Sequence, residues 1–264
     1  MTVKQRTIRD IQAQKGQTSL ICLTAHNAPI ARLLDSIVDI LLVGDSLGMV
    51  NYGMKSTLGV TMEMMCAHGK AVANVAQQAC VIVDMPFGSY QTSPAEAYTH
   101  AARLMKETGC AAVKLEGGAI MAETVAFLVD RGIPVLGHIG LLPQSVHQLG
   151  GYRYQGRTEA EQKQLHADAH ALSAAGAFAV VLEAIQEDVA AFITREIPIP
   201  TIGIGASPAC DGQVLVTEDL LGLSERPPRF AVQYANIGNV IKEAAITFSN
   251  DVKERRFPTK NHCF

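Results

Sequence analysis

Tryptophan is absent, and phenylalanine and tyrosine together make up only 5% of the residues. A core of any size must therefore be built from Ala, Val, Ile, Leu and Met, which suits the layered packing of small and branched side chains inside a β/α barrel. Long apolar runs are missing too. Stretches such as 37–43 fall far short of the ~20 residues that a membrane-spanning helix needs. The opening MTVKQRTIRDIQAQKGQ has no apolar segment and is not read as a secretory signal. Basic residues are scattered without a Lys/Arg stripe and the net charge is −3, which argues against a nucleic-acid partner. No two of the six cysteines form a CxxC pair, and several lie in apolar runs. They are expected to be small buried hydrophobes in a reducing cytoplasm, not a disulfide frame or a zinc site.

What is present is one repeated unit: a short apolar run, a loop with a glycine or a charge, an amphipathic helix, then glycine. The apolar runs are 19–24, 39–43, 80–83, 111–115, 134–137, 178–182 and 200–204. Each is apolar on consecutive positions, as in parallel strands buried on both faces. The intervening helices carry start and stop signals. Ser93-Pro94-Ala95-Glu96 and Thr158 with Glu161 read as capping boxes, closed downstream by Gly109 and Gly176, and a third helix over 119–131 stops at Gly132. Alternating strands and helices imply right-handed βαβ units and a parallel sheet. The chain has 264 residues, close to the ~250 typical of a (β/α)8 barrel. An eighth strand is expected near 229–233; seven alone would leave a doubly wound sheet open. A short helix over 7–15 is expected to plug the barrel bottom. The polar tail 250–264 is either a solvated end or a subunit contact. With no linker or low-complexity segment, 1–264 reads as one domain.

The residues that follow the strands carry the chemistry. They are Asp45 and Ser46, then Asp84, then Lys114 with Glu116, then His138, then Glu183. In a barrel these strand ends share one rim, where active sites lie. Each residue alone has an ordinary explanation as a helix cap, a turn former or a hydrogen-bonded core group. Together, several acids converging on one mouth must be neutralised by a cation or by raised pKa values. Asp45, Asp84 and Glu116 offer hard oxygen ligands without cysteine, which suits Mg²⁺. Such an ion would chelate a 2-oxo acid and stabilise its enolate. Glu183, on a separate strand, is the candidate base, and Lys114 would balance the substrate's negative charge. The loop IGIGA (202–206) reads as a tight turn in preference to a phosphate site, and Met62-Glu63-Met64-Met65 as helix core.

The segments LLVGDSLGMV (41–50), STLGVT (56–61), DMPFGSY (84–90), VKLEGG (113–118), GHIGLLPQS (137–145), GGYRYQGR (150–157), VLEAI (181–185), IGIGA (202–206) and DGQVLV (211–216) occur in that order. Together they resemble the ketopantoate hydroxymethyltransferase family over most of the chain. The resemblance implies a TIM-type barrel of the phosphoenolpyruvate/pyruvate superfamily. It implies a cytoplasmic enzyme of pantothenate synthesis that moves a one-carbon unit from 5,10-methylenetetrahydrofolate to 3-methyl-2-oxobutanoate. It also implies a magnesium site at Asp45, Asp84 and Glu116, substrate contacts at Asp45, Ser46, Asp84, Lys114 and His138, a proton acceptor at Glu183, and a homo-oligomer, commonly a decamer. Other 2-oxo acid lyases of the superfamily and a catalytically silent barrel are the competing readings. The chain departs from the family pattern at His26-Asn27 and at Ser207-Pro208. GGYRYQGR is the expected mobile lid.

Overall fold

All seven apolar runs are strands in the computed structural model, which describes residues 4–264. They are β1 (Leu20–Thr24), β2 (Ile40–Val43), β3 (Cys80–Asp84), β4 (Ala112–Lys114), β5 (Val135–Gly140), β6 (Ala179–Glu183) and β7 (Thr201–Ile204); β8 (Gly212–Leu215) completes the set. Neighbours pair in parallel in sequence order, and β8 pairs back to β1, so the sheet is a closed eight-stranded barrel. The eighth strand is therefore not at 229–233, which follows Pro227-Pro228 and has no regular structure. Gly-Gln-Val-Leu at 212–215 is no apolar run, so its pattern does not mark a strand. Glycine is needed there, since a Cβ on Gly212 would lie 2.6 Å from both Cβ and the carbonyl oxygen of Leu20. Gln213 turns its amide to the Ser207 carbonyl at 2.9 Å.

Side chains alternate along a strand, and the barrel sorts them into two cores. Leu41, Val43, Val81, Val83, Val135, Val180 and Leu182 face outward to the helices. Leu20, Cys22, Ile40, Leu42, Cys80, Ile82, Ala112, Leu136, Ala179, Val181, Ile202 and Val214 fill the interior. Helix Ile8–Gln12 starts at Thr7, which forms a reciprocal capping box with Asp10. It places Ile11 in the interior cluster with Ile8 packed against it, so the bottom is plugged as expected. All six cysteines are free; five are buried and Cys263 is exposed.

Helix Pro94–Thr108 begins with Ser93 accepting from the Glu96 amide and ends at Gly109, whose φ is +77°. Helix Glu159–Ala174 begins with Thr158 accepting from the Glu161 amide. The Glu161 carboxylate, however, accepts from the Arg157 amide, one residue beyond the position of a reciprocal box. The third helix opens as a 3-10 turn, Ala119–Met121, and continues as Ala122–Val129. Met65 is buried on helix Met62–Ala73, in keeping with a core role. No helix of the described residues is long and apolar enough to cross a membrane.

Two compact units make up the chain: the barrel, ending at Leu215, and Val216–Phe264. The second contains helices Thr217–Leu220 and Ile237–Lys253 and a 3-10 turn, Lys260–His262. The tail 250–264 begins inside the long helix and then folds back, with Phe257 on Phe248 at 5.5 Å between ring centroids.

The barrel closes at its bottom around Asp211. Its carboxylate accepts from Lys15 Nζ at 2.9 Å, from the Gly16 amide at 2.9 Å, and from the Thr201 amide and hydroxyl at 2.8 and 3.2 Å. These ties join the segment before β1 to the starts of β7 and β8. Burial alone would raise the pKa of Asp211. The hydrogen bonds from Lys15, Thr201 and Gly16 outweigh it and hold the pKa below the ordinary 3.8. A carboxyl group with a depressed folded pKa stabilises the fold above its unfolded pKa, and that stability is lost as pH falls. Asp211→Asn should therefore cost about 2 kcal/mol at pH 7, with the gap to wild type narrowing below about pH 4. Equal melting temperatures at pH 7 would refute this role.

Candidate active site

The inward series on several strands turns polar at the carboxyl end: Ile82 gives way to Asp84, Ala112 to Lys114 and Glu116, Leu136 to His138, and Val181 to Glu183. All five polar residues follow the interior apolar residues at steps of two or four, so parity brings them into one layer above the apolar filling. Asp84 and Lys114 are register partners on β3 and β4. Their side chains meet at 2.8 Å, with only 4% and 6% of each exposed. Asp45 lies just beyond β2, and its backbone amide donates to Asp84 Oδ2 at 3.1 Å. Across the mouth, His138 Nε2 lies 3.1 Å from Glu183 Oε2, and Nδ1 lies 3.7 Å from Glu116 Oε1. Gln144 links the two groups. Its side-chain nitrogen donates to Asp45 Oδ2 at 2.9 Å and its backbone amide to Glu116 Oε2 at 3.0 Å. The expected site residues Asp45, Asp84, Lys114, Glu116, His138 and Glu183 thus form one connected layer. Ser46 opens helix Leu47–Val50 beside them, and its buried hydroxyl has no hydrogen-bond partner among the described residues.

Backbone geometry sets the position of Glu183. Gly140 has φ +98°, and a Cβ on it would lie 2.3 Å from the Glu183 carbonyl. Only glycine lets β5 approach so closely that the Leu141 amide donates to that carbonyl at 2.8 Å. Ala184 follows with φ +48°, a left-handed conformation that non-glycine residues rarely adopt and that clusters at functional sites.

The layer holds four acids and one ammonium group. Burial, then the charge of Asp84, pushes Asp45 up to about 7. Burial and Asp45 push Glu116 well above the carboxylate range. Burial alone would lower Lys114, but Asp84, Glu116 and Asp45 outweigh it and raise it, so Lys114 stays charged. Burial lowers His138 despite Glu183 beside it, leaving a neutral imidazole at pH 7. Among the described residues, no three His, Cys, Asp or Glu side chains converge closely enough to hold a metal ion by themselves. Mg²⁺ does not require three, since it commonly takes one or two carboxylates and completes its shell with waters and substrate oxygens. Asp45 and Asp84, oxygen donors that raise each other's energy when both are ionised, fit such an ion.

The ketopantoate hydroxymethyltransferase family model matches residues 5–260. The chain belongs to the ketopantoate hydroxymethyltransferase family. It is 59% identical to the 3-methyl-2-oxobutanoate hydroxymethyltransferase of Paramagnetospirillum magneticum, over 99% of this chain and 96% of that protein. Identity to the corresponding protein of Rhodospirillum rubrum is 57%, over 99% and 95%. Among solved structures, phosphonopyruvate hydrolase in complex with oxalate and Mg²⁺ superposes with a TM-score of 0.62 at 11% identity, covering 97% of this chain and 93% of that one. A 2,3-dimethylmalate lyase of the PEP mutase/isocitrate lyase superfamily gives 0.61 at 15% identity, covering 97% and 90%. These last two establish the shared barrel.

Where the chain departs from the expected family pattern, the structure puts local structural contacts. Asn27 caps helix Ala28–Leu34 by accepting from the Ile30 amide at 3.0 Å. His26 is buried, and its carbonyl accepts from His68. The Ser207 hydroxyl accepts from the Ala209 amide at 3.1 Å. Gly205, with φ +59°, makes the turn in IGIGA. Two site residues had no role in the sequence reading: Gln144, and Tyr90, whose hydroxyl donates to Gln144 Oε1 at 2.6 Å. Both sit within segments that carried the family resemblance, PQS and DMPFGSY, but an uncharged Gln or Tyr in a loop shows no role until its partners are seen.

Asp45 has a folded pKa near 7 against an ordinary 3.8. Its ionisation therefore costs stability as pH rises through 7, and the cost vanishes below the unfolded pKa. In chelator, Asp45→Asn should melt several degrees above wild type at pH 8 and level with it below about pH 4. A variant no more stable than wild type at pH 8 would count against a strained Asp45.

Proposed function

We propose that this enzyme adds a hydroxymethyl group to 3-methyl-2-oxobutanoate. 5,10-Methylenetetrahydrofolate and water supply the group, and the products are 2-dehydropantoate and tetrahydrofolate. The observation that carries the reading is the division of the mouth. A charged Lys114–Asp84 pair with Asp45 lies on one side, and Glu183 beside a neutral His138 lies on the other. An oxo acid seated between them has its carboxylate near the ammonium group and its C3 hydrogen near a base. Asp45, Ser46, Asp84, Lys114 and His138 are the proposed substrate contacts. The unpartnered Ser46 hydroxyl supports this, because a buried donor without an acceptor is costly until a ligand supplies one.

Asp45 and Asp84, with Glu116 in support, are the residues that would hold Mg²⁺. When bound, that ion withdraws electron density from the oxo acid and makes C3–H more acidic. Glu183 takes the C3 proton. It is the most accessible acid of the layer, with 15% of its side chain exposed against 3% for Glu116. A neutral His138, its Nε2 3.1 Å from Glu183 Oε2, borders the base without quenching it as a full positive charge would. The loop 150–157 is the proposed lid. Tyr152 and Tyr154 are exposed on it, and Gln155 ties it to Ala184, next to Glu183, through a 2.7 Å backbone hydrogen bond.

No macromolecular ligand is needed for this reaction, and a cytoplasmic homo-oligomer, up to a decamer, is the proposed form. Helix Ile237–Lys253 supports self-association, because it buries none of its residues and exposes Val240, Ile241, Ile246 and Phe248.

Proton NMR of the purified protein with Mg²⁺, the folate and the oxo acid tests the reaction, with a chelated control. Metal-dependent 2-dehydropantoate is expected. Exchange of the C3 proton in D₂O without product would keep the enolising site and discard the folate donor; the absence of both signals would overturn the proposal. Glu183→Gln should cut kcat roughly 10²–10⁴-fold, abolish the exchange and leave oxo acid affinity within a few-fold. Lost affinity would instead make Glu183 structural. Hydrogen exchange in 150–157 should slow when both substrates bind, and an unchanged rate would count against the lid.

A further inference from the structure

Gln144 comes from the 3-10 turn Pro143–Ser145, an element that supplies none of the acids, yet it holds two of them. The side chain is buried, with 5% of the residue exposed. Its amide nitrogen donates to Asp45 Oδ2 at 2.9 Å and to the Met85 carbonyl at 3.0 Å, which uses both N–H bonds. Its backbone amide donates to Glu116 Oε2 at 3.0 Å. The amide oxygen accepts from Tyr90 at 2.6 Å and from Gln91 Nε2 at 3.3 Å.

The two ends of a carboxamide have the same shape, so their partners decide which end faces which group. The Met85 carbonyl can only accept. The Tyr90 hydroxyl already receives the Glu116 amide at 3.1 Å, and its own proton goes to Gln144. Both neighbours therefore turn the NH₂ end toward Asp45. A reversed amide would set its oxygen against the Asp45 carboxylate and the Met85 carbonyl together.

We infer that Tyr90 and Gln144 are a positioning pair: Tyr90 orients the Gln144 amide, and Gln144 holds one oxygen of Asp45 and one of Glu116 at a set separation across the mouth. The inference rests on the reading of these acids as cation ligands. Groups that orient ligands typically contribute 10–100-fold to metal affinity. Tyr90 is expected to act on Asp45 only through Gln144.

Mn²⁺ binding followed by EPR, on the full chain, tests this with Gln144→Met, Tyr90→Phe and the double variant. Melting curves and the KM for 3-methyl-2-oxobutanoate are measured in parallel. Each single variant should bind Mn²⁺ about tenfold more weakly and show a raised KM. The double variant should be no weaker than the weaker single, since residues acting through one chain are non-additive. Wild-type Mn²⁺ affinity in both single variants would overturn the inference, and so would additive losses, which would make Tyr90 act separately. If Gln144→Met does not fold, Tyr90→Phe decides alone: it keeps the ring, and weaker Mn²⁺ binding at a native melting temperature supports the pair, while unchanged binding overturns it. Wild-type protein that takes up no Mn²⁺ is a different failure, that of the cation reading, and the inference falls with it.

Discussion

Asp84 and Lys114 occupy the same level on adjacent parallel strands, and their buried contact makes a polar layer tenable on top of an apolar barrel. A buried charge pair gains from attraction only when the remaining donors and acceptors are also met. Asp84 meets that condition: one oxygen takes the ammonium group and the other takes the Asp45 amide. Asp84, then Glu116 and Asp45, together keep Lys114 charged against burial. Lys114 pulls the pKa of Asp45 and of Glu116 down against burial, so without it these two acids would hold their protons to still higher pH. The β3–β4 register thus fixes where the mouth carries its ammonium group.

That layer was legible in the sequence because of where its charges stand. A polar or charged side chain in or just after the last residues of an apolar run marks a strand's carboxyl end, so Asp84, Lys114, Glu116, His138 and Glu183 stand out in the sequence. Parity was not legible. The strands are apolar on both faces, so nothing in 80–83 says that Cys80 and Ile82 face the axis while Val81 and Val83 face the helices. Nor was β8, a strand defined by what it packs against, with a glycine where β1 comes close. Gln144 and Tyr90 stayed hidden for a third reason. Their importance lies in hydrogen bonds between residues 54 positions apart, and neither residue type is rare in loops.

Asp211 at one end of the barrel and Asp45 at the other have opposite fates from the same side chain. Asp45 is buried and Asp211 partly so, and burial by itself raises both pKa values. Asp211 is surrounded by four donors, one of them an ammonium group, and ends below its ordinary value. Asp45 faces another carboxylate, receives the amide of Gln144, and ends near 7. Depth of burial and the number and sign of neighbouring groups together separate them.

This difference separates the two ends by task. The bottom satisfies its polar groups internally: Asp35 takes the amides of Gln77, Gln78 and Ala79, as Asp211 takes those of Gly16 and Thr201. The top leaves a hydroxyl on Ser46 without an acceptor and two acids short of positive charge. Those shortfalls lower the stability of the free protein, and under the proposed function the same shortfalls would become binding energy when a cation and an oxygen-rich anion arrive together. An ion alone would relieve the acids but leave Ser46 unmet, and an oxo acid alone would add negative charge to a mouth that already has too much. The two ligands should therefore favour each other's binding, through charges that the barrel's register has already set in place.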